Sequence, residues 1–361
     1  MKRKQYNTDC EGPISLNDNA YELAKYFIPD GDRFFSQISK YDDILTDIIR
    51  RSGYKAGDTL KLILPFLKAY GATNKNINEY CIRNIVIVPG ADESLRYIRE
   101  RMPIFIISTS YEQYLNALCD FIGFDMNFVY CTKLDIDKYQ IDRSEIKRLK
   151  VIKKEIDKLP ELNSTADIRR FDDLPDSVKN AVERLDSVFW EEMQYLNSKE
   201  MFKDINPIGG FEKANAIKDS LEYTGNTLKD VIYIGDSITD VQAFLLVKRG
   251  GGVTVSFNGN KYAVKEADIA CICGHSIVLS MIADMFSREG KEIVMELAHN
   301  WSIDSIRDSC VDEALIEQLF YIYPKNLPTV EVIKEENKEA ITRKSEAFRE
   351  ALRGKEIGSL G

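Results

Sequence analysis

The sequence predicts an α/β protein built on a doubly wound, mostly parallel sheet, and three observations lead there. Short apolar runs recur at residues 85–88, 104–107, 231–234, 253–256 and 269–272. Several give way to helical periodicity, as in ADESLRYIRERM, YEQYLNALCDFIG and SITDVQAFLLVK. The runs also end in small or acidic residues. Continuous apolar strands alternating with helices of about 10–15 residues are the pattern of parallel strands buried on both faces. Ligands of such a sheet sit beyond the carboxyl ends of its strands, near the switch in strand order.

Two segments interrupt the alternation. Between residues 17 and 83, Ile38, Tyr41, Leu45, Ile48 and Ile49 repeat at helical spacing, and GDTLKLILPFLKAYG supplies a helix interrupted by Pro65. A second, highly charged helical stretch covers about 140–208, including DRSEIKRLKVIKKEIDKL. The expected division is a core of residues 1–16 and 84–275 carrying that insertion, a helical cap at 17–83, and a helical, polar extension at 276–361. No internal repeat is evident.

The 361 residues suffice for this arrangement, and 44% are apolar, as in ordinary globular chains. No apolar run approaches the roughly 18–20 residues that span a bilayer. The start MKRKQYNTD is basic but lacks a following hydrophobic stretch, so a signal peptide is not expected. Seven cysteines, at 10, 81, 119, 131, 271, 273 and 310, show no paired spacing and read as reduced thiols of a cytoplasmic protein. A net charge of −9 without a basic stripe argues against nucleic acid as a partner. With only His275 and His299, histidine-based hydrolysis has almost nothing to work with. Carboxylates must move the protons.

Four pieces carry chemistry. NTDCEGP places Asp9 and Glu11 two residues apart, so that on extended chain both side chains address one ligand, and Gly12 permits a tight turn. IFIISTS is a buried strand ending in hydroxyls at Ser108, Thr109 and Ser110. FEKANAIKDSL sets Lys213 at the start of a helix. VIYIGDSITD is a buried strand ending in Gly235 and Asp236, with Asp240 one helical turn further on.

In this order and on these elements, the four pieces resemble the motifs of the haloacid dehalogenase (HAD) superfamily. The resemblance covers about residues 5–16 and 85–275 and implies a HAD-like, Rossmann-like core with helical cap insertions. Within the superfamily the chain is similar to phosphoserine phosphatases, which share the Asp-x-Glu-Gly opening and a strand-and-hairpin segment like FVYCTKLDID. The whole chain is similar, further, to an archaeal group of which some members are associated with an energy-converting hydrogenase as its R subunit. The resemblance implies an Mg²⁺-dependent phosphohydrolase acting on a small phosphorylated metabolite through an aspartyl-phosphate. Asp9 is the implied nucleophile and Glu11 the acid and base. The implied metal ligands are the Asp9 carboxylate, the Glu11 carbonyl and the Asp236 carboxylate. Ser108 and Lys213 bind phosphoryl oxygens, Asp240 orients Lys213 or a metal-bound water, and Asn258, with Asn260, supports the site.

The superfamily usually has Asp where Glu11 stands, and the strand before Asp9 is unusually polar for a central one. Thr109 and Ser110 compete with Ser108 for the phosphate. Cys271, Cys273 and His275 make a poor zinc set and read as strand residues; Asp135 and Asp137 read as part of the hairpin. Asp18, Arg50 and Arg51 are candidates for reading the part of the substrate that does not react, the arginines by gripping a carboxylate. Two other readings remain open: a regulatory or structural subunit with little turnover, and a phosphotransferase. A protein partner is compatible with either.

Overall fold

Polar Gln5 and Asn7 occupy the centre of the sheet because a helix supplies their partners. In this computed structural model, which describes residues 4–162, 168 and 170–360, both side chains donate to Ser220 Oγ, at 2.9 and 3.1 Å. Thr224 donates to Gln5 Oε1 at 2.7 Å. Buried amides with every bond made cost little, so the strand's polarity is no obstacle to its central place. Residues 163–167 and 169 of the expected second insertion, residues 1–3 of the basic start and Gly361 lie outside the described residues.

The strands are β1 (Gln5–Thr8), β2 (Ile104–Tyr111), β3 (Val129–Thr132), β4 (Val231–Gly235), β5 (Val253–Phe257), β6 (Ile269–Ile272) and β7 (Thr329–Val332). They form one sheet in the order β3-β2-β1-β4-β5-β6-β7. Every neighbouring pair runs parallel except β6 and β7. This is the doubly wound, mostly parallel sheet expected. From β1 the chain builds outward through β2 and β3 on one side, then returns to β4 and builds the other way. The switch in strand order therefore falls between β1 and β4, where Asp9 and Asp236 end their strands.

Between β1 and β2 lie helices Asn19–Phe27, Gly31–Asp43, Thr59–Ala69 and Asn74–Arg83. The third runs straight through Pro65 instead of breaking there. Its ring is buried within an almost wholly buried helix, and packing outweighs the roughly 3 kcal/mol that an internal proline costs. Between β3 and β4 lie helices Arg143–Ile156, Asp176–Trp190 and Lys199–Asp204. Among the described residues, no helix is long and apolar enough to cross a membrane, and all seven cysteines are free.

Three expectations are corrected. Residues 85–88 do not join the sheet; Val86 and Val88 exchange backbone hydrogen bonds with Leu16 and Ile14, fastening the chain after Asp9. The segment after β3 forms no hairpin. Asp135 instead caps a single 3₁₀ turn, and Asp137 accepts from Lys68 and the Asn74 amide. The C-terminal extension is not only helical, since it contributes β7 as an antiparallel edge. Its long helix, Lys338–Arg353, does not stand apart as a polar tail but runs back to the carboxyl ends of the strands.

Candidate active site

At the end of β1 the backbone turns sharply. The amides of Ile14 and Ser15 both bond to the Cys10 carbonyl, and Gly12 donates to Ser15 at 2.7 Å. Gly12 holds φ +95°, and a Cβ on it would lie 2.2 Å from Asp236 Oδ2. No other residue fits there. Gly235 is required for a similar reason, since its Cβ would meet the Asp240 carboxyl at 2.4 Å. The two strand ends thus approach closely enough to bring their carboxylates to one place.

Asp9 and Lys213 are buried and in direct contact. Asp9 Oδ1 accepts from the Cys10 amide at 2.6 Å, and Oδ2 accepts from Lys213 Nζ. Lys213 also donates to Asp240 Oδ1 at 2.7 Å. Asp240 is saturated beyond that. Tyr233 Oη donates to Oδ1 at 2.7 Å, and the amides of Asp236 and Ser237 donate to Oδ2 at 2.9 and 3.0 Å. Its role in this arrangement is to aim the lysine. Burial pushes the Asp9 carboxyl up to about 7 against the pull of Lys213, and the charges of Asp240 and Asp236 add to the rise.

Glu11 points to the other side of the turn. Its Oε1 accepts from the Asn19 amide at 2.8 Å and from Ser110 Oγ. Burial first, then the charge of Asp18, pushes its carboxyl up to about 8, and the two donors oppose that. Asp18 caps helix Asn19–Phe27 by accepting from the Tyr21 amide at 3.0 Å. Burial raises it as well.

A cavity of about 70 Å³ opens between these groups, lined by Asp9, Glu11, Asp18, Thr109, Ser110 and Asp236 among others. Ser108 is not in that lining. It is fully buried, and its Oγ accepts from the Ser110 amide at 3.2 Å, so of the three hydroxyl residues ending β2 it is Thr109 and Ser110 that line the cavity. Asn258 ties the ends of β5 and β6 together through Cys273, while Asn260 touches the site directly, its amide donating to the Asp236 carbonyl at 2.9 Å. The Cys273 thiol donates to the His275 carbonyl and the His275 ring accepts from the Ile277 amide.

Arg50 and Arg51 are not brought to the cavity, which corrects their expected substrate role. Arg50 ends a π-helical turn with φ +53°, and its Nε donates to the Asp47 carbonyl. Arg51 pairs with Asp186 at 2.7 Å and stacks on Trp190 at 4.5 Å. Their places are taken by residues that sequence reasoning missed. Arg349 and Arg353 of the C-terminal helix line the cavity, and both pair with Asp236 Oδ2, Arg353 at 3.3 Å. Ile341, Ser345 and Arg349 are buried at every fourth position, so the arginines continue a stripe that faces the protein, but a stripe holding a serine and arginines gives no apolar signal in the sequence.

The donor set suits a hard divalent cation. Asp9, Asp236 and Asp240 each offer a carboxylate oxygen, all within 4.8 Å of one another. Asp240 is already saturated, but Asp236 Oδ1 accepts no hydrogen bond from the described residues, whereas Oδ2 takes both arginines. The Glu11 carbonyl is also without a backbone donor among the described residues. Asp9, the Glu11 carbonyl and Asp236 Oδ1 therefore form an all-oxygen set of the kind Mg²⁺ takes.

A profile of haloacid dehalogenase-like hydrolases matches residues 92–275. Among solved structures, a gene product from Archaeoglobus fulgidus is 27% identical with a TM-score of 0.80, covering 99% of each chain. A phosphoserine phosphatase with a phospho-aspartyl intermediate analogue is 15% identical with a TM-score of 0.46, covering 75% of this chain and 93% of its own. A substrate-bound phosphoserine phosphatase complex is 14% identical at the same TM-score, 0.46, covering 76% and 95%. No curated protein matches the chain.

Proposed function

Because the chain belongs to the haloacid dehalogenase-like hydrolase family, we propose that it is an Mg²⁺-dependent phosphomonoester hydrolase acting on a small metabolite through an aspartyl-phosphate at Asp9. The observation that carries this reading is the buried chain Asp9–Lys213–Asp240, with Glu11 two residues on, held by Ser110 and lining the same cavity.

Asp9 is the attacking group because it alone of the three clustered carboxylates is neither saturated by donors nor claimed by arginines. Lys213, held by Asp240, offsets the repulsion between Asp9 and an incoming phosphate dianion. The cation held by Asp9, the Glu11 carbonyl and Asp236 would supply the rest of that positive charge. Glu11, whose carboxyl burial keeps protonated near neutrality, gives its proton to the leaving oxygen as the bond to phosphorus breaks. The same carboxylate then takes a proton from the water that cleaves the intermediate. Ser110, which lines the cavity, holds Glu11 in place through its hydroxyl.

The helices of residues 17–83 act as the cap. The cavity is far below the roughly 300–1,000 Å³ of ordinary ligand sites, so substrate entry requires the cap to open. A small substrate fits this best, and a phosphoserine-like one is the first to try. The test is a panel of phosphorylated metabolites with purified protein and Mg²⁺. Hydrolysis that stops with chelator supports the reading; full activity in chelator refutes it.

A further inference from the structure

The family profile ends at residue 275, yet the C-terminal helix beyond it reaches the Asp236 carboxylate of the site. Arg349 Nη1 donates to Asp236 Oδ2 and also approaches the Asp236 carbonyl at 3.4 Å. Its Nε is fixed by the Gly358 carbonyl at 3.1 Å. Arg353 Nη1 donates to the same Oδ2, while its Nη2 and Nε donate to the carbonyls of Asn17 and Leu16 at 2.6 and 3.1 Å. Those two carbonyls belong to the short link between the Asp9 turn and the first cap helix. Both guanidiniums are almost wholly buried, at 4% side-chain exposure. The helix itself is anchored nearby, Ser345 donating to the Gly259 carbonyl at 2.6 Å and Glu346 accepting from the Lys261 amide at 2.9 Å.

We infer that Arg349 and Arg353 are positioning residues for Asp236, fixing its carboxylate so that Oδ1 faces the cation, and that Arg353 ties this carboxylate to the base of the cap. The inference rests on the phosphohydrolase reading above and adds the C-terminal helix to the working site. Oδ2 is enclosed by two guanidiniums on one side and the Gly12 backbone on the other. The carboxylate therefore has no room to rotate, and a cation at Oδ1 meets a ligand already oriented. Hydrogen-bonding partners of this kind, one bond behind a metal ligand, are typically worth 10–100-fold in metal affinity or activity.

A guanidinium also repels an incoming cation, which acts in the opposite direction. Here both guanidiniums are already paired with Asp236 Oδ2, which offsets part of their charge, so orientation is expected to dominate at Oδ1. Lysine separates the two effects: it keeps the charge but has no second nitrogen to hold the Gly358 carbonyl while the first holds Asp236.

The experiment is calorimetric titration of the full chain with Mn²⁺ alone, for the wild type, Arg349→Met, Arg349→Lys and Arg353→Met, each checked for its fold by circular dichroism. All three variants should bind Mn²⁺ about 10–100-fold more weakly than the wild type. With saturating Mn²⁺, kcat for an aryl phosphate should fall while KM changes little. Should Arg349→Met not fold, the lysine variant decides. Unchanged binding overturns the inference, as does tighter binding in Arg349→Met with Arg349→Lys near wild type, which would make the arginines competitors of the cation. A wild-type chain that binds no Mn²⁺ overturns the phosphohydrolase reading and this inference with it.

Discussion

Two pairs of arginines, Arg50 with Arg51 and Arg349 with Arg353, differ in what surrounds them far more than in what their local sequence announces. The first pair follows an apolar stripe in the cap segment, about 40 residues and two helices after Asp9 in sequence. It ends at a helix terminus, where Arg51 finds Asp186 and Trp190 and Arg50 faces solvent. The second pair lies more than 300 residues from Asp9 in a helix that reads as polar (349 − 9 = 340). It is buried against Asp236. Nearness in sequence to a catalytic turn is thus a poor guide to nearness in space. What places the second pair is the return of the chain through β7, which pairs with β6 before helix Lys338–Arg353 runs back to the strand ends.

Substitutions at the site and at the two arginine pairs should therefore fall on a steep gradient. The largest effect belongs to Asp9→Asn, which keeps the side-chain shape and removes the nucleophile. Turnover of an aryl phosphate should drop below detection with the thermal melt unchanged, and a rate near wild type would move the site elsewhere. Glu11→Gln comes next, slowing both half-reactions by on the order of 10²–10⁴. Pre-steady-state kinetics on an activated and a poor leaving group will check it, since loss confined to the poor one would restrict Glu11 to the first step.

Arg51→Met should leave kcat and KM untouched while lowering stability by about 1 kcal/mol, the scale of a half-exposed ion pair plus a cation–π contact. Urea denaturation measures this, and a change in KM for any acidic substrate would restore the arginine to the site. Arg50→Gln should be the mildest, within about 0.5 kcal/mol in the same denaturation experiment and silent in activity. A larger loss in either measurement would show that the comparison between the pairs is drawn in the wrong place.

How far the sequence could be read follows the same division. The alternation of strands and helices made the sheet legible because each buried strand needs a continuous apolar run, and β2, β4, β5 and β6 all have one. β1 was placed by Asp9 and Glu11 in spite of its polarity; its solvation by Ser220 and Thr224 is a tertiary fact that no local pattern carries. Residues 85–88 misled because an apolar run reads the same whether it pairs with a strand or with a loop such as Ile14–Leu16. At the site, Asp9, Glu11, Lys213, Asp236 and Asp240 came from spacing and order and are brought together in space. Ser108 is buried outside the cavity lining while its neighbours Thr109 and Ser110 line it, a difference in orientation that a run of three hydroxyl residues does not announce. Arg349 and Arg353 were hidden because an arginine on a charged helix looks solvated until its burial is known.

The central claim is that Asp9 takes up the phosphoryl group, and borohydride trapping tests it most directly. Aspartyl-phosphates are reduced by borohydride to homoserine, so protein turning over a phosphorylated substrate with Mg²⁺ can be quenched, reduced and sequenced by tandem mass spectrometry. Homoserine at position 9, absent without substrate and absent in Asp9→Asn, is the predicted result. Active protein that yields homoserine at another residue, or at none, would contradict the account.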